Sequence, residues 1–252
     1  MLAQQLVVYQ SPFAFAIGEV ITPTDFLAFF IISSIIVVVV QNIRHAHIFY
    51  RFLFYTSVFV GTLMVFASVF PVTVSLPVSA LFVIGLILVP VVWLHNLVVI
   101  VASIGIGAVI GVESQWPTVA GLMALLSVYD VIAVYVTKHM VDVAHNMLKA
   151  RAIFALIVPD DRRDFRALIS RVSPGAGFVI LGGGDVIFPM ILACSVFAVS
   201  PIAANGVVIG STIGLMVNNI LLRATKRALP ALPLIAIGAV LGLMIGLNLL
   251  AR

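Results

Sequence analysis

Eight stretches of this chain are apolar for long enough to cross, or nearly cross, a bilayer. They are Phe26–Gln41, Phe52–Phe70, Leu76–Leu94, Leu97–Val112, Val119–Thr137, Gly175–Val199, Ile202–Leu222 and Leu232–Leu250. A helix needs about 20 apolar residues to cross the hydrocarbon. Backbone left unpaired in lipid is so costly that such stretches are expected to be helical. The sequence therefore predicts an all-α fold, a polytopic transmembrane helical bundle with eight complete spans. Only 9% of the residues are charged, against about 25% in soluble domains. The first and fourth spans are short, and Asn96 implies a tight turn between the third and fourth. Residues 1–22 do not form a span. Met1 to Tyr9 reach only about 13 Å as a helix, and Pro12, Gly18, Glu19 and Pro23 break the pattern that follows. Gln4, Gln5 and Gln10, with no basic residue before them, do not read as a signal peptide. The one long polar segment is Lys138–Pro174.

Basic residues give the orientation. Arg44, Arg51, Lys138, Lys149, Arg151, Arg162, Arg163, Arg166, Arg171, Arg223, Lys226 and Arg227 all fall in loops on one side, and they are 12 of the 13 Lys and Arg residues. Only Arg252 falls on the other. The positive-inside rule then puts the 138–174 loop in the cytoplasm and the C-terminus on the opposite side. The net charge of +4 is explained by this asymmetry, so no nucleic-acid partner is implied. Membrane lipids are the expected neighbours of the basic loop.

Of the nine acidic residues, only Asp130 and Asp185 lie well inside apolar spans. A carboxylate at that depth is costly and calls for a function. Asp130 is expected about 12 Å below the cytoplasmic end of its span, and Asp185 about 15 Å below the start of the next. The two spans are consecutive and antiparallel, so the carboxylates can face each other. Burial and mutual repulsion disfavour two ionised neighbours, and such a pair is expected to share one proton. Water activated by the ionised member, with the protonated member bonding a carbonyl, is peptide hydrolysis. The same pair could equally be a proton relay in a carrier.

The flanking residues separate these readings. Tyr129-Asp130 and Gly182-Gly183-Gly184-Asp185 resemble the YD and GxGD motifs of the presenilin and signal peptide peptidase family. Pro230-Ala231-Leu232, opening the last span, resembles the family's PAL motif. All three stand in the family's order, and the resemblance runs from about Asp25 to Arg252. It implies a single transmembrane protease domain over residues 1–252, cutting the transmembrane segments of substrate proteins with Asp130 and Asp185. By the same resemblance Tyr129 supports Asp130, and Gly182 and Gly184 let the second helix approach the first. Pro230, Ala231 and Leu232 shape the site and receive substrate. The nucleophile is water, so no metal or organic cofactor is implied, and no obligatory subunit is inferred. The family has nine spans, and residues 1–22 are then expected to hold the remnant of a first helix. Gly183 stands where Leu or Met is common, which predicts a looser helix. The short 138–174 loop suggests an uncut prokaryotic homologue.

Two rivals remain. A prepilin-peptidase-type membrane aspartyl protease also uses a GxGD carboxylate, but commonly with Lys soon after, where Val186 and Ile187 stand here. A cation leak or proton-coupled carrier would need polar residues lining several spans, and few are present. His45, His47, His95, His139 and His145 read as interfacial polar residues, and Cys194 as a small packing residue. Asn218 and Asn219 read as interhelical hydrogen-bonding groups. Gly107 with Gly111, and Gly238 with Gly242 and Gly246, are spaced for close helix packing.

Overall fold

The computed structural model describes residues 24, 28, 32, 46–137, 152–173, 177–225 and 229–250. Residues 1–22, most of the expected first span Phe26–Gln41, and Lys138–Arg151 of the polar loop lie outside the described residues. The helices are α1 (Ala46–Ala67), α2 (Val72–Leu88), α3 (Val92–Glu113), α4 (Trp116–Ile132), α5 (Gly183–Phe197), α6 (Pro201–Thr225) and α7 (Leu232–Leu250). Among the described residues α1, α3, α6 and α7, and α4 together with the π turn that continues it to Tyr135, are long and apolar enough to cross a membrane, while α2 and α5 are shorter apolar helices. The expected count of eight complete spans is not confirmed among the described residues.

Helix starts follow from proline and cap chemistry. Pro71 precedes α2, Pro117 sits in the first turn of α4, and α6 opens on Pro201. Each uses a position where the missing N–H has no intrahelical partner anyway. Ser200 adds a side-chain cap, its Oγ accepting the Ala203 N–H at 3.1 Å. The break between α2 and α3 falls at Val89–Val91, where Pro90 disfavours continuation. The expected turn at Asn96 is thus corrected: Asn96 lies inside α3.

The expectation of an all-α chain is also corrected. The span expected at Gly175–Val199 begins as a strand of 5 residues and continues as a helix of 15. Strand β2 (Phe178–Gly182) runs straight into α5, and pairs antiparallel with β1 (Ala155–Pro159) in the register Ala155↔Gly182 to Pro159↔Phe178. β1 comes from the supposed polar loop. Its surroundings are apolar, and Ala152, Ile153, Ala155 and Ile157 join Tyr50, Phe54 and Val58 of α1 and Val92, Val98 and Val99 of α3 in one buried core. The charged part of the loop, Asp160–Arg171, forms short 3-10 turns whose arginines are exposed. These turns are tied to the start of α3 by Val92 N–H to Ala167 O (3.0 Å) and Ile169 N–H to Pro90 O (2.9 Å).

A second core joins the other helices: Val119 and Met123 of α4, Ile191, Leu192 and Val196 of α5, Val207 of α6, and Ala239 and Leu243 of α7. Small residues set the helix spacing. Gly206 and Gly210 of α6 meet Gly242 and Gly238 of α7 backbone to backbone, and Gly246 meets Ala203. Gly107 and Gly111 of α3 admit Met190, Ile191 and Cys194 of α5. The glycine spacings and the packing role of Cys194 are thus as the sequence predicts. Asn218 is not: its Oδ1 is buried without a hydrogen-bond partner.

Candidate active site

The two cores meet where α4 ends, α5 begins and α7 begins. Asp130 lies in the last turn of α4 and is 8% exposed. Its Oδ2 accepts the Leu232 N–H at 3.2 Å, and the Ala231 N–H bonds the same carboxyl. These are among the first N–H groups of α7, which have no partner within their own helix. Asp130 therefore caps α7 from a neighbouring helix. The expected substrate-receiving stretch Pro230-Ala231-Leu232 thus gives the N–H groups of Ala231 and Leu232 to Asp130.

Asp185 is the third residue of α5, after Gly182 as N-cap. Its carboxyl accepts the Gly182 N–H. This is the reach-back half of a capping box, and it is possible because β2 turns directly into helix. Asp185 is partly buried, and its interaction with the Asp130 charge shows the two carboxyls to be electrostatic neighbours. Both thus sit at helix N-termini, where the helix dipole favours negative charge. Phe188, one turn beyond Asp185, packs with Leu122 and Leu126 of α4 and Leu232 of α7.

The glycines divide their work differently from expectation. A Cβ on Gly183 would stand 2.8 Å from Phe154 O, the atom that accepts the Gly183 N–H at 2.9 Å. Gly183 therefore allows β1 to lie tight against the start of α5, rather than loosening the helix. A Cβ on Gly182 would meet Asp185 Oδ2 at 3.1 Å, and one on Gly184 the Phe188 ring at 3.3 Å. Close approach of α3 to α5 is supplied by Gly107 and Gly111. Tyr129 is 48% exposed beside its buried neighbour Asp130. Pro230 and Ala231 are half-buried and Leu232 is buried. A groove of about 390 Å³ runs between α4 and α7, lined by Ala120, Ala124, Ser127, Pro233, Ala236 and Ile237 among others. Its end at Ser127 and Pro233 is one turn from Asp130 and adjacent to Leu232.

Two residues were misread from sequence. His95 is 1% exposed, with Nε2 3.0 Å from Ala155 O and its ring stacked on Phe54 at 5.7 Å. Asn96 bonds both backbone groups of Ile157. The available signal was a polar pair inside an otherwise apolar run. Among the described residues no three His, Cys, Asp or Glu side chains gather as a metal-binding group.

Residues 12–251 match the protein family described as signal-peptide peptidase, presenilin aspartyl protease. None of the curated proteins is significantly similar to the chain. Among solved structures, a presenilin family intramembrane aspartate protease in space group C222 superposes with a TM-score of 0.63 at 22% identity, covering 98% of this chain and 94% of that one. A structure with the same description in space group P2 gives 0.62 at 23% identity, covering 98% and 92%.

Proposed function

The chain belongs to the signal-peptide peptidase and presenilin aspartyl protease family, and from that premise we propose that Asp130 and Asp185 are its catalytic pair. The chain is an intramembrane-cleaving aspartic endopeptidase, a hydrolase. Neither the prepilin-peptidase nor the carrier reading is favoured. One observation carries the residue assignment: both carboxylates, Asp130 buried and Asp185 partly buried, are held by backbone N–H groups at adjoining helix N-termini, within electrostatic reach of each other.

In this reading the pair holds one proton between its members. The ionised carboxylate takes a proton from a water molecule as its oxygen attacks the scissile carbonyl. The protonated carboxyl donates to the carbonyl oxygen, and a tetrahedral diol forms. The carboxyl that took the water proton then gives it to the departing amide nitrogen while the other carboxylate takes a proton from a diol hydroxyl; the C–N bond breaks to a carboxylic acid and an amine, and the pair again holds one proton. Neither residue is given a fixed acid or base role, because a coupled pair titrates as a unit. Gly182 and Gly183 set where Asp185 stands, and Leu232 fixes Asp130 through its N–H. Pro230 and Ala231 border the pair and wall the substrate subsite. Tyr129 is a supporting residue of the same motif.

The substrate is a transmembrane segment of another protein, which must unwind before it can be cut. The groove between α4 and α7 supports a lateral approach. The edge of β2 turned away from β1, at Phe178, Ile180 and Gly182, supports pairing of unwound substrate as an added strand that ends beside Asp185. The whole chain acts as one protease unit, with the 138–174 loop cytoplasmic and the C-terminus opposite. That sidedness is supported by the exposed Arg162, Arg163, Arg166 and Arg171, and by Arg223, whose guanidinium pairs with Asp160 of the same loop at 3.5 Å.

The test is cleavage of a purified membrane-spanning substrate in detergent. Wild-type chain is expected to cut it, and Asp130→Ala and Asp185→Ala chains are expected not to. Cleavage persisting in either variant would remove that residue from the pair.

A further inference from the structure

β1 has two edges, and only one is paired with β2. Gly183 N–H bonds Phe154 O, and Asp160 N–H bonds Gly177 O at 2.8 Å. With the observed register, residues 154, 156, 158 and 160 turn their backbone groups toward β2. Ala155 and Ile157 turn theirs the other way. Ala155 and Ile157 are buried, and an open edge buried in apolar protein is costly, since no water reaches its N–H and C=O groups. Here α3 closes it. Asn96 Nδ2 donates to Ile157 O at 2.6 Å, and Asn96 Oδ1 accepts the Ile157 N–H at 2.9 Å. A side-chain amide thus replaces the peptide group of a missing third strand. His95 bonds Ala155 O one step along, and Phe54 connects the two layers, stacked on His95 and edge-on to Phe154 at 5.1 Å.

We propose that Asn96 is a positioning residue for catalysis: its amide fixes β1, and β1 fixes the start of α5 and with it Asp185. The route is short. Asn96 holds Ile157, Phe154 three residues earlier holds Gly183, and Asp185 follows Gly183 by two. The proposal rests on Asp185 being one of the catalytic pair. It predicts that loss of the amide displaces Asp185 relative to a bound substrate while leaving the substrate's own contacts in place.

The experiment uses the full chain and a purified membrane-spanning substrate, with products identified by mass. Asn96→Leu keeps the branched shape, with bulkier tips, but has no amide. It is expected to lower kcat roughly 10- to 100-fold with KM changed by less than about twofold, and to spread cleavage onto neighbouring bonds. Asn96→Asp supplies a second reading if the leucine variant does not fold. When protonated, its carboxyl can donate to Ile157 O and accept from Ile157 N–H, restoring both bonds. When ionised it loses the donor. Its activity relative to wild type, measured at each pH, is therefore expected to rise as pH falls. A merely structural lesion gives a constant ratio. An unchanged kcat and product pattern in Asn96→Leu, or a flat ratio in Asn96→Asp, overturns the proposal while leaving the catalytic pair intact. Cleavage by Asp185→Asn instead overturns the catalytic assignment itself, and this inference with it.

Discussion

Gly183→Ala adds one methyl where β1 and α5 touch. Its Cβ would stand 2.8 Å from Phe154 O and 3.4 Å from the Phe154 carbonyl carbon. A comfortable carbon–oxygen contact is about 3.3 Å or more, so the shortfall is roughly 0.5 Å. The strand has little freedom to move away, because Phe154 O already accepts the Gly183 N–H and the next residues are held by His95 and Asn96. The start of α5 must therefore shift, and Asp185 rides on it. A misplacement of about 1 Å can cost on the order of 10²-fold in rate, so half of that predicts a fall in kcat of about tenfold. For stability, overpacking costs about 1–3 kcal/mol, against a gain of about 0.4–1 kcal/mol from a less flexible unfolded chain. The net expectation is a loss near 1 kcal/mol. Gly184→Ala is the comparison. Its Cβ meets only the edge of the Phe188 ring, at 3.3 and 3.6 Å, and a ring can turn. Its losses of rate and stability are expected to be clearly smaller. Single-turnover cleavage in detergent and thermal unfolding of the same preparations measure both quantities. Wild-type rates in Gly183→Ala, or equal losses in the two variants, would refute the reasoning from backbone contact.

Asp130→Asn and Asp130→Ala are both expected to abolish cleavage but to differ in stability. The amide still accepts the Leu232 N–H, whereas alanine leaves it buried and unpaired at a cost of about 1–3 kcal/mol, readable as a lower unfolding midpoint for Asp130→Ala. Gly242→Leu forces α6 and α7 apart where their backbones touch, and is expected to cost at least about 1–3 kcal/mol by overpacking, again seen in thermal unfolding. Arg223→Ala removes an ion pair whose side chains are 67% and 56% exposed, and unfolding is expected to change by less than about 1 kcal/mol. Ile180→Pro deletes an N–H on the outer edge of β2, where proline is tolerated; KM is expected to rise while kcat changes less, and an unchanged KM would mean that substrate does not pair with that edge.

The pairing of the two carboxylates was legible because carboxylates in apolar runs are few. Asp130 and Asp185 were singled out by depth alone, and Tyr129, Gly182 and Pro230-Ala231-Leu232 gave them a family. The hairpin was not legible. Phe178-Val179-Ile180-Leu181 and Ala155-Leu156-Ile157-Val158 are short apolar runs, and such runs read as strand or helix with equal ease. Their β-branched residues favoured strand, but one was absorbed into a span and the other into a loop, by the apolar or charged residues next to them. Asn96 misled for the opposite reason. A polar residue between two apolar runs looks like a turn, and the partner that satisfies it, Ile157, lies 61 residues away.

That error bears on how such a site can exist in a membrane. Non-helical backbone at membrane depth is tolerated only where protein or a water-filled cavity satisfies it. Here one edge of β1 is closed by β2 and the other by Asn96 and His95, so the hairpin exposes a single edge. The same hairpin ends at Asp185, whose carboxyl takes the last outward N–H, that of Gly182. The N–H groups at the start of α7 go to Asp130 in the same way. Each carboxylate thus satisfies backbone that would otherwise be orphaned, and that backbone in turn offsets the cost of holding a carboxylate out of water. The strand, the two helix starts and the acids are therefore one mutually dependent arrangement. Loss of either acid is expected to be felt in the backbone opposite it as well as in the chemistry.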